Sequence, residues 1–177
     1  MPSPIGHSLA ALIAGGCVAR ATTGPTRRYV VPALLVGAGL VPDLDLLVGS
    51  HSGITHSLGA AAIAGMLVAA GPWRGRWRLG LAVFAAYGSH VLLDWLSQDT
   101  SVPIGIMALW PLSREYWHAP FSLFLATDRR FWLDGFWARN LLSIAWELLV
   151  FIPPAAIVYR RRVRVAAAAA SVRPPER

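Results

Sequence analysis

Two aspartates and two histidines interrupt an otherwise apolar stretch between residues 39 and 57. They are Asp43, Asp45, His51 and His56. Carboxylates and imidazoles are common ligands of divalent metals, and each is costly to hold near hydrocarbon unless it is paired or coordinated. The stretch therefore predicts a metal site in an apolar environment.

A second pair of candidate ligands, His90 and Asp94, lies inside another apolar run. Residues four positions apart share one face of a helix, so both side chains can point at one ion. The first apolar run adds a histidine near its start. The candidate metal ligands are therefore His7, Asp43, Asp45, His51, His56, His90 and Asp94.

The number of candidate ligands points to more than one ion. They exceed what a single tetrahedral ion needs and fit a site for two divalent metals. One ion of such a site lowers the pKa of a bound water to about 7, and the pair stabilises the attacking and leaving oxygens of a phosphoester. Asp45 is the candidate general base. Thr55 and Ser57 are predicted to cap a helix or to orient the ligands.

Each candidate also has a purely structural interpretation. His7 could be a satisfied core histidine, and Asp43 could cap a helix. Unpaired ionisable groups inside membrane segments are functional by default, which favours metal binding for His56, His90 and Asp94.

The composition is that of a membrane protein. Of the 177 residues, 55% are hydrophobic and 14% are charged, and the mean hydropathy is +0.51, against roughly 25% charged residues in soluble domains. The net charge is +7, but the arginines do not follow one amphipathic helix with interleaved aromatic residues. We therefore predict basic loops that flank membrane helices, and no binding of nucleic acid.

Apolar runs separated by Pro, Gly and Arg predict an all-α fold, a polytopic membrane bundle of about five helices. The predicted helices cover roughly residues 5–21, 29–40, 57–70, 79–97 and 140–159. Residues 1–162 form one predicted domain, and residues 163–177 a flexible basic tail.

The long connection between the last two predicted helices, residues 98–139, is rich in aromatic residues. It predicts an interfacial segment that includes a short helix lying on the membrane. His118 within it is assigned to the interface rather than to the metal site. Glu147, in the last helix, is expected either to pair with an arginine or to join the site.

The positions of the arginines predict the orientation of the bundle. If the five helices alternate across the membrane, most of the 16 arginines fall on one side, in groups at 20–28, 74–78 and 160–177. By the positive-inside rule this side is cytoplasmic. The candidate ligands lie on the order of 20 to 27 Å away along the helices, close to the hydrocarbon thickness of ~30 Å. We therefore predict a multi-pass protein of the inner (plasma) membrane with its site towards the non-cytoplasmic face.

With these residues identified, the sequence resembles the YdjM-type family of membrane-bound, metal-dependent hydrolases. The matching segments span about the first two thirds of the chain and are His7, Pro42–Asp45, His51–Ser57, His90–Asp94 and Leu109–Ser113. Arginine usually follows the first histidine of the family signature H-R-G-x-T-H-S, whereas Ser52 stands here. The ligand positions are intact, but the arginine proposed to contact an anion has no counterpart at that position.

The family pattern is also similar, more remotely, to that of zinc-dependent phospholipases C and related nucleases. This resemblance implies zinc as the metal and phosphoester hydrolysis as the reaction. It also implies membrane lipid as a partner and a lipid or lipid-linked phosphoester as the substrate. We therefore predict a membrane-bound hydrolase that uses metal-activated water. The alternative is a non-catalytic metal-binding or ion-translocating protein, whose ligands would lie near the bilayer midplane. The sequence leaves the oligomeric state open.

Overall fold

The computed structural model describes residues 1–19, 25–48, 51–72, 75–99 and 102–171. These ranges contain five α-helices and no β-strand. Two short 3-10 helices, Val41–Val48 and Ile54–His56, lie between the second and third α-helices. The α-helices are α1 Pro4–Val18, α2 Pro25–Leu40, α3 Leu58–Ala69, α4 Arg76–Trp95 and α5 Phe136–Ser171. The predicted all-α bundle of about five helices is confirmed.

Serine side chains cap the two helices that begin near the candidate ligands. The Ser3 hydroxyl accepts a hydrogen bond from the Gly6 amide at 3.2 Å at the start of α1. The Ser57 hydroxyl accepts one from the Ala60 amide at 3.0 Å at the start of α3. Each cap satisfies an amide that the first helical turn leaves without a partner. The predicted capping role of Ser57 is therefore confirmed.

The central helix of the bundle is α4, because it packs against α1, α2 and α3. The crossing with α3 is close, since a Cβ atom on Gly65 would lie only 2.8 Å from the carbonyl oxygen of Gly80. Small residues at such crossings let apolar helices approach closely where hydrophobic driving force is weak. This packing holds the two candidate ligands of α4, His90 and Asp94, inside the bundle.

Helix α5 extends further than the sequence predicts. It continues through Pro153, Pro154 and the arginine-rich segment to Ser171, so the predicted helix end near residue 159 is wrong. Alanine, the strongest helix former, fills most of the last turns and explains the extension. Residues 163–171 of the predicted tail are helical, and residues 172–177 lie outside the described part of the chain.

The connection between α4 and α5 has no helix among its described residues, so the predicted interfacial helix is not found there. The segment folds back on itself through two isolated bridges, Ser97 with Phe124 and Ile106 with Trp117. Exposed aromatic side chains remain, as an interfacial segment requires. They include Phe121, Phe131, Trp132 and Trp137.

Two helical stretches, Tyr29–Leu47 and Phe136–Val165, are long and apolar enough to cross a membrane by length and composition. In the most apolar window of the second stretch, 17% is buried, so most of it faces outwards. Helices α1 and α3 are apolar but shorter. Large apolar side chains such as Leu67 and Leu149 cover the outside of the bundle. Extensive exposed apolar surface of this kind is typical of contact with a membrane.

Candidate metal centre

Four segments of the chain bring polar side chains to one place at one end of the bundle. His7 lies near the start of α1, and Asp43 in the first 3-10 helix. His56 ends the second 3-10 helix, and His90 and Asp94 lie in the last turns of α4. We call these five residues the ligand cluster.

Asp94 lies at the centre of the ligand cluster. Its carboxylate oxygens lie 3.4 Å from Nε2 of His7, 3.3 Å from Nε2 of His56 and 3.0 Å from Nε2 of His90. The rings of His7 and His90 stack with their centroids 3.8 Å apart. Three imidazoles therefore each direct one nitrogen to a single buried carboxylate.

Asp43 approaches two of the same histidines. Its Oδ1 atom lies 3.6 Å from Nε2 of His56 and 3.8 Å from Nε2 of His90. The Asp43 side chain is 21% exposed, whereas both rings are fully buried. Asp43 is therefore more accessible from outside the protein than the two histidines.

Overlapping sets of side chains in this region could hold metal ions, because the ligand atoms of each set lie within 4.8 Å of one another. The sets are His7 with Asp43 and His90, Asp43 with His51 and His56, and His56 with His90 and Asp94. Each set shares members with another. Shared ligands are what a site for more than one ion requires.

Buried polar atoms of the ligand cluster lack hydrogen-bond partners, although their neighbours lie close. Leaving such an atom unpaired costs roughly 1–3 kcal/mol, and buried polar groups are almost always paired. Divalent metal would satisfy nitrogen lone pairs and carboxylate oxygens at once, so these residues fit a metal. The atoms are Nδ1 and Nε2 of His7, Oδ1 of Asp43, Nε2 of His56, Nε2 of His90 and both carboxylate oxygens of Asp94.

Two of the histidines are held from the side that faces away from the cluster. Nδ1 of His90 donates to the carbonyl oxygen of Gly39 at 2.8 Å. Nδ1 of His56 donates to the Thr55 hydroxyl at 3.1 Å and lies 3.1 Å from Oδ2 of Asp45. A hydrogen bond at Nδ1 leaves Nε2 as the unprotonated nitrogen of a neutral ring, and metal-binding histidines are usually oriented in this way.

Asp45 lies behind His56 and belongs to none of the three candidate metal sets. It accepts hydrogen bonds from the Thr55 hydroxyl at 2.7 Å and from Nδ1 of His51 at 2.9 Å, and its Oδ2 atom lies 3.1 Å from Nδ1 of His56. The direct-ligand and general-base roles predicted for Asp45 stay predictions. Its contacts are those of a residue that orients two histidines.

His51 lies at the edge of the site. Its ring packs edge-on against His56, with centroids 4.6 Å apart, and its side chain is 17% exposed. Its Nε2 atom contacts the sulfur of Met1. The structure thus brings together all seven residues predicted from the sequence, five of them in the cluster and two, His51 and Asp45, beside it.

His118, which the sequence assigns to the interface, and Glu147, which it predicts to pair with an arginine or to join the site, lie in other contacts. Nε2 of His118 donates to the carbonyl oxygen of Ser97 at 2.8 Å. The Glu147 carboxylate accepts from the Ser3 amide at 2.7 Å and from the Ser3 hydroxyl. Among the described residues, Glu147 pairs with no arginine and neither residue belongs to a candidate metal set.

Sequence analysis missed two contributions to the site. Glu147 of α5 holds the cap of α1, Ser3, and thereby the helix that carries His7. The backbone carbonyl of Gly39 orients His90, and a carbonyl leaves no trace in the residue pattern. The Ser3-Pro4 pair at the start of α1, which is typical of a helix start, is a sequence signal that could have indicated part of this arrangement.

The comparisons with known proteins agree with a membrane-embedded chain. The model of the YdjM inner membrane protein family matches residues 1–164, and the chain belongs to this family. No curated protein and no solved structure matches it.

Proposed function

Given membership of that inner membrane protein family, we propose that the chain is a membrane-bound, metal-dependent hydrolase of a phosphoester in a lipid or lipid-linked substrate. One observation carries the proposal: the buried nitrogen and oxygen atoms of the ligand cluster face one another without hydrogen-bond partners. A structural core would pair these groups, because a satisfied buried network is far cheaper than an open one.

His7, Asp43, His56, His90 and Asp94 would hold the metal, with His51 as an outer ligand beside Asp43 and His56. The overlap of the three sets supports two ions, and the nitrogen and carboxylate ligands suit zinc. When bound, the metal would supply a water of pKa about 7 and stabilise charge on the oxygens of the phosphoester.

The chain's own residues would keep the site in its binding form. Gly39 and Asp45 hold the rings of His90 and His56 with Nε2 towards Asp94. Asp45 would act mainly by positioning His56, and its absence from the three candidate sets supports this role over that of a direct ligand. The partly exposed Asp43 would face the substrate.

We further propose that the site lies towards the non-cytoplasmic face of a multi-pass bundle. Arg76 and Arg78 lie at the start of α4, whereas Asp94 lies near its end, about 24 Å away along the helix. This separation supports opposite sides for the arginines and the site. Other arginines used in the prediction, Arg20, Arg74, Arg173 and Arg177, lie outside the described residues.

Hydrolysis of phospholipid and lipid pyrophosphate in mixed micelles tests the proposed activity. Purified protein is expected to release a phosphorylated headgroup from phospholipid or inorganic phosphate from lipid pyrophosphate. The activity should stop after treatment with a chelator and recover when zinc is returned. Asp94→Asn should abolish the activity, and Asp134→Asn, an exposed aspartate of the connection, should preserve it.

Metal that binds without any hydrolysis would instead favour the non-catalytic, ion-translocating alternative. In that case vesicles containing the protein should take up zinc, and Asp94→Asn should prevent uptake. A hydrolase without transport activity leaves zinc outside the vesicles.

A further inference from the structure

A cavity of about 140 Å³ lies beside the ligand cluster, and one wall of it is Asp43. The α4–α5 connection contributes Thr127 and Arg129 to the lining, together with Asp99, whose carboxylate accepts a hydrogen bond from the Gly105 amide at 2.8 Å. The volume is ample for a small polar group, since a site for one water needs only roughly 10–15 Å³ of such volume. The cavity therefore joins a candidate metal ligand to an arginine.

Arg129 is exposed and has no carboxylate within ion-pair distance among the described residues. Two nearby arginines differ from Arg129 in this respect. Arg130 and Arg139 both form ion pairs with Asp128, at 3.2 and 3.0 Å. Hydrogen bonds from the Arg130 backbone and from both guanidinium groups hold the pKa of Asp128 below its usual value. Of these three arginines, only Arg129 is free to meet an incoming anion.

Hydrogen bonds anchor the two residues before Arg129, one to Met1 and the other to α5. The Thr127 amide and hydroxyl both donate to the carbonyl oxygen of Met1 at 3.0 Å. Asp128 and Asn140 of α5 exchange two hydrogen bonds, each 2.9 Å long. These two anchored residues, Thr127 and Asp128, immediately precede Arg129 and hold its backbone next to the cavity.

The guanidinium group of Arg129 also lies close to His51, on the other side of the sulfur of Met1. Its Nη2 atom is 3.6 Å from the sulfur of Met1, and the same sulfur contacts Nε2 of His51. A thioether is a weak acceptor, so a phosphate oxygen would be a far better partner for the arginine. The sulfur of Met1 therefore lies between the guanidinium group of Arg129 and the ring of His51.

We propose that Arg129 binds the phosphate group of the substrate in this cavity, next to the metal ligands. The inference rests on the proposed function for the identity of the substrate, and it names the residue that recognises the anion. Arginine is suited to this role because its planar fork can bind two phosphate oxygens at once. Substrates with a terminal phosphate should bind better than neutral lipids of the same chain length.

Phosphate binding by the purified, zinc-loaded protein tests the proposal, with Arg129→Gln compared to Arg130→Gln. The probes are inorganic phosphate, phosphatidic acid in mixed micelles, and diacylglycerol as the neutral lipid. Arg129→Gln should weaken phosphate binding about tenfold or more, as expected for loss of a charged hydrogen bond, while Arg130→Gln should change it less than about twofold. Zinc content should be equal in both variants.

The two phosphate probes separate the sources of the anion. Weakened binding of inorganic phosphate shows that the phosphate group alone is recognised, and an effect confined to phosphatidic acid shows that the lipid is required. Equal phosphate binding in wild type and Arg129→Gln, or none in either, overturns the inference. Arginine-dependent phosphate binding by a protein that holds no zinc would support the inference and remove the proposed hydrolase.

Discussion

Oδ2 of Asp45 lies 3.1 Å from Nδ1 of His56, while Nε2 of the same ring faces the Asp94 carboxylate at 3.3 Å. One imidazole thus connects a supporting carboxylate to a central one. This arrangement separates the roles of two aspartates that are close in sequence, because Asp43 faces the ligand cluster and Asp45 supports it from behind.

Asp45→Asn should weaken zinc binding about 10–100-fold without removing an ion, because the carboxylate orients His56 rather than binding metal. Competition with a chromogenic chelator measures the affinity. Asp134→Asn, which replaces an exposed aspartate in the same way, should bind zinc like wild type. Loss of one zinc ion from Asp45→Asn at saturating zinc would show that Asp45 is a direct ligand.

Gly39→Ala should destabilise the bundle by about 1–3 kcal/mol, because overpacking forces neighbouring elements apart. The added Cβ would meet the Cβ of Ala11 and lie 3.1 Å from the carbonyl oxygen of His7. Its matched control is Gly37→Ala in the same helix, where the Cβ would meet nothing within 4 Å. The control should be neutral or gain up to about 1 kcal/mol from helix propensity.

Unfolding of both glycine variants by a denaturing detergent, followed by circular dichroism, compares their free energies of unfolding. Gly39→Ala is also expected to lower zinc affinity, since the carbonyl of residue 39 accepts the hydrogen bond that holds His90. Equal stability of the two variants would contradict the close approach of α2 to α1.

Glu147→Ala should lower the thermal unfolding midpoint by several degrees. It leaves the buried amide and hydroxyl of Ser3 without their acceptor, at about 1–3 kcal/mol, and 1 kcal/mol corresponds to about 2–4 °C in a protein of this size. Glu115→Ala, which removes an exposed glutamate, should leave the midpoint unchanged. A midpoint for Glu147→Ala equal to that of wild type would rule out the contact with Ser3 as a support of α1.

The parts of the site that follow a local rule could be predicted from the sequence. His90 and Asp94 share a helix face because they are four residues apart, and Ser57 caps α3 because serine before an apolar run favours a helix start. The cost of ionisable groups in an apolar chain also predicted that His56 belongs to a site with His90 and Asp94. Local spacing and burial cost were sufficient for these residues.

The remainder depends on tertiary contacts that the sequence pattern does not encode. Glu147 and Ser3 lie at opposite ends of the chain, so their contact follows from the packing of α5 against α1. Asp45 and Asp43 are equivalent by residue type, and only the path of the 3-10 helix decides which one faces the cluster. The predicted end of α5 is wrong because the arginine-rich segment does not stop the helix and the alanines after it continue it.

The zinc content of the detergent-purified protein tests the central claim most directly, with His56→Ala compared to His118→Ala. Both variants remove a histidine, but only His56 has an unpartnered nitrogen in the ligand cluster. We expect about two zinc ions in wild type and in His118→Ala, as a two-metal site requires, and a loss of zinc in His56→Ala. Wild-type protein that binds no zinc, or equal zinc in all three proteins, would contradict a metal centre at these residues.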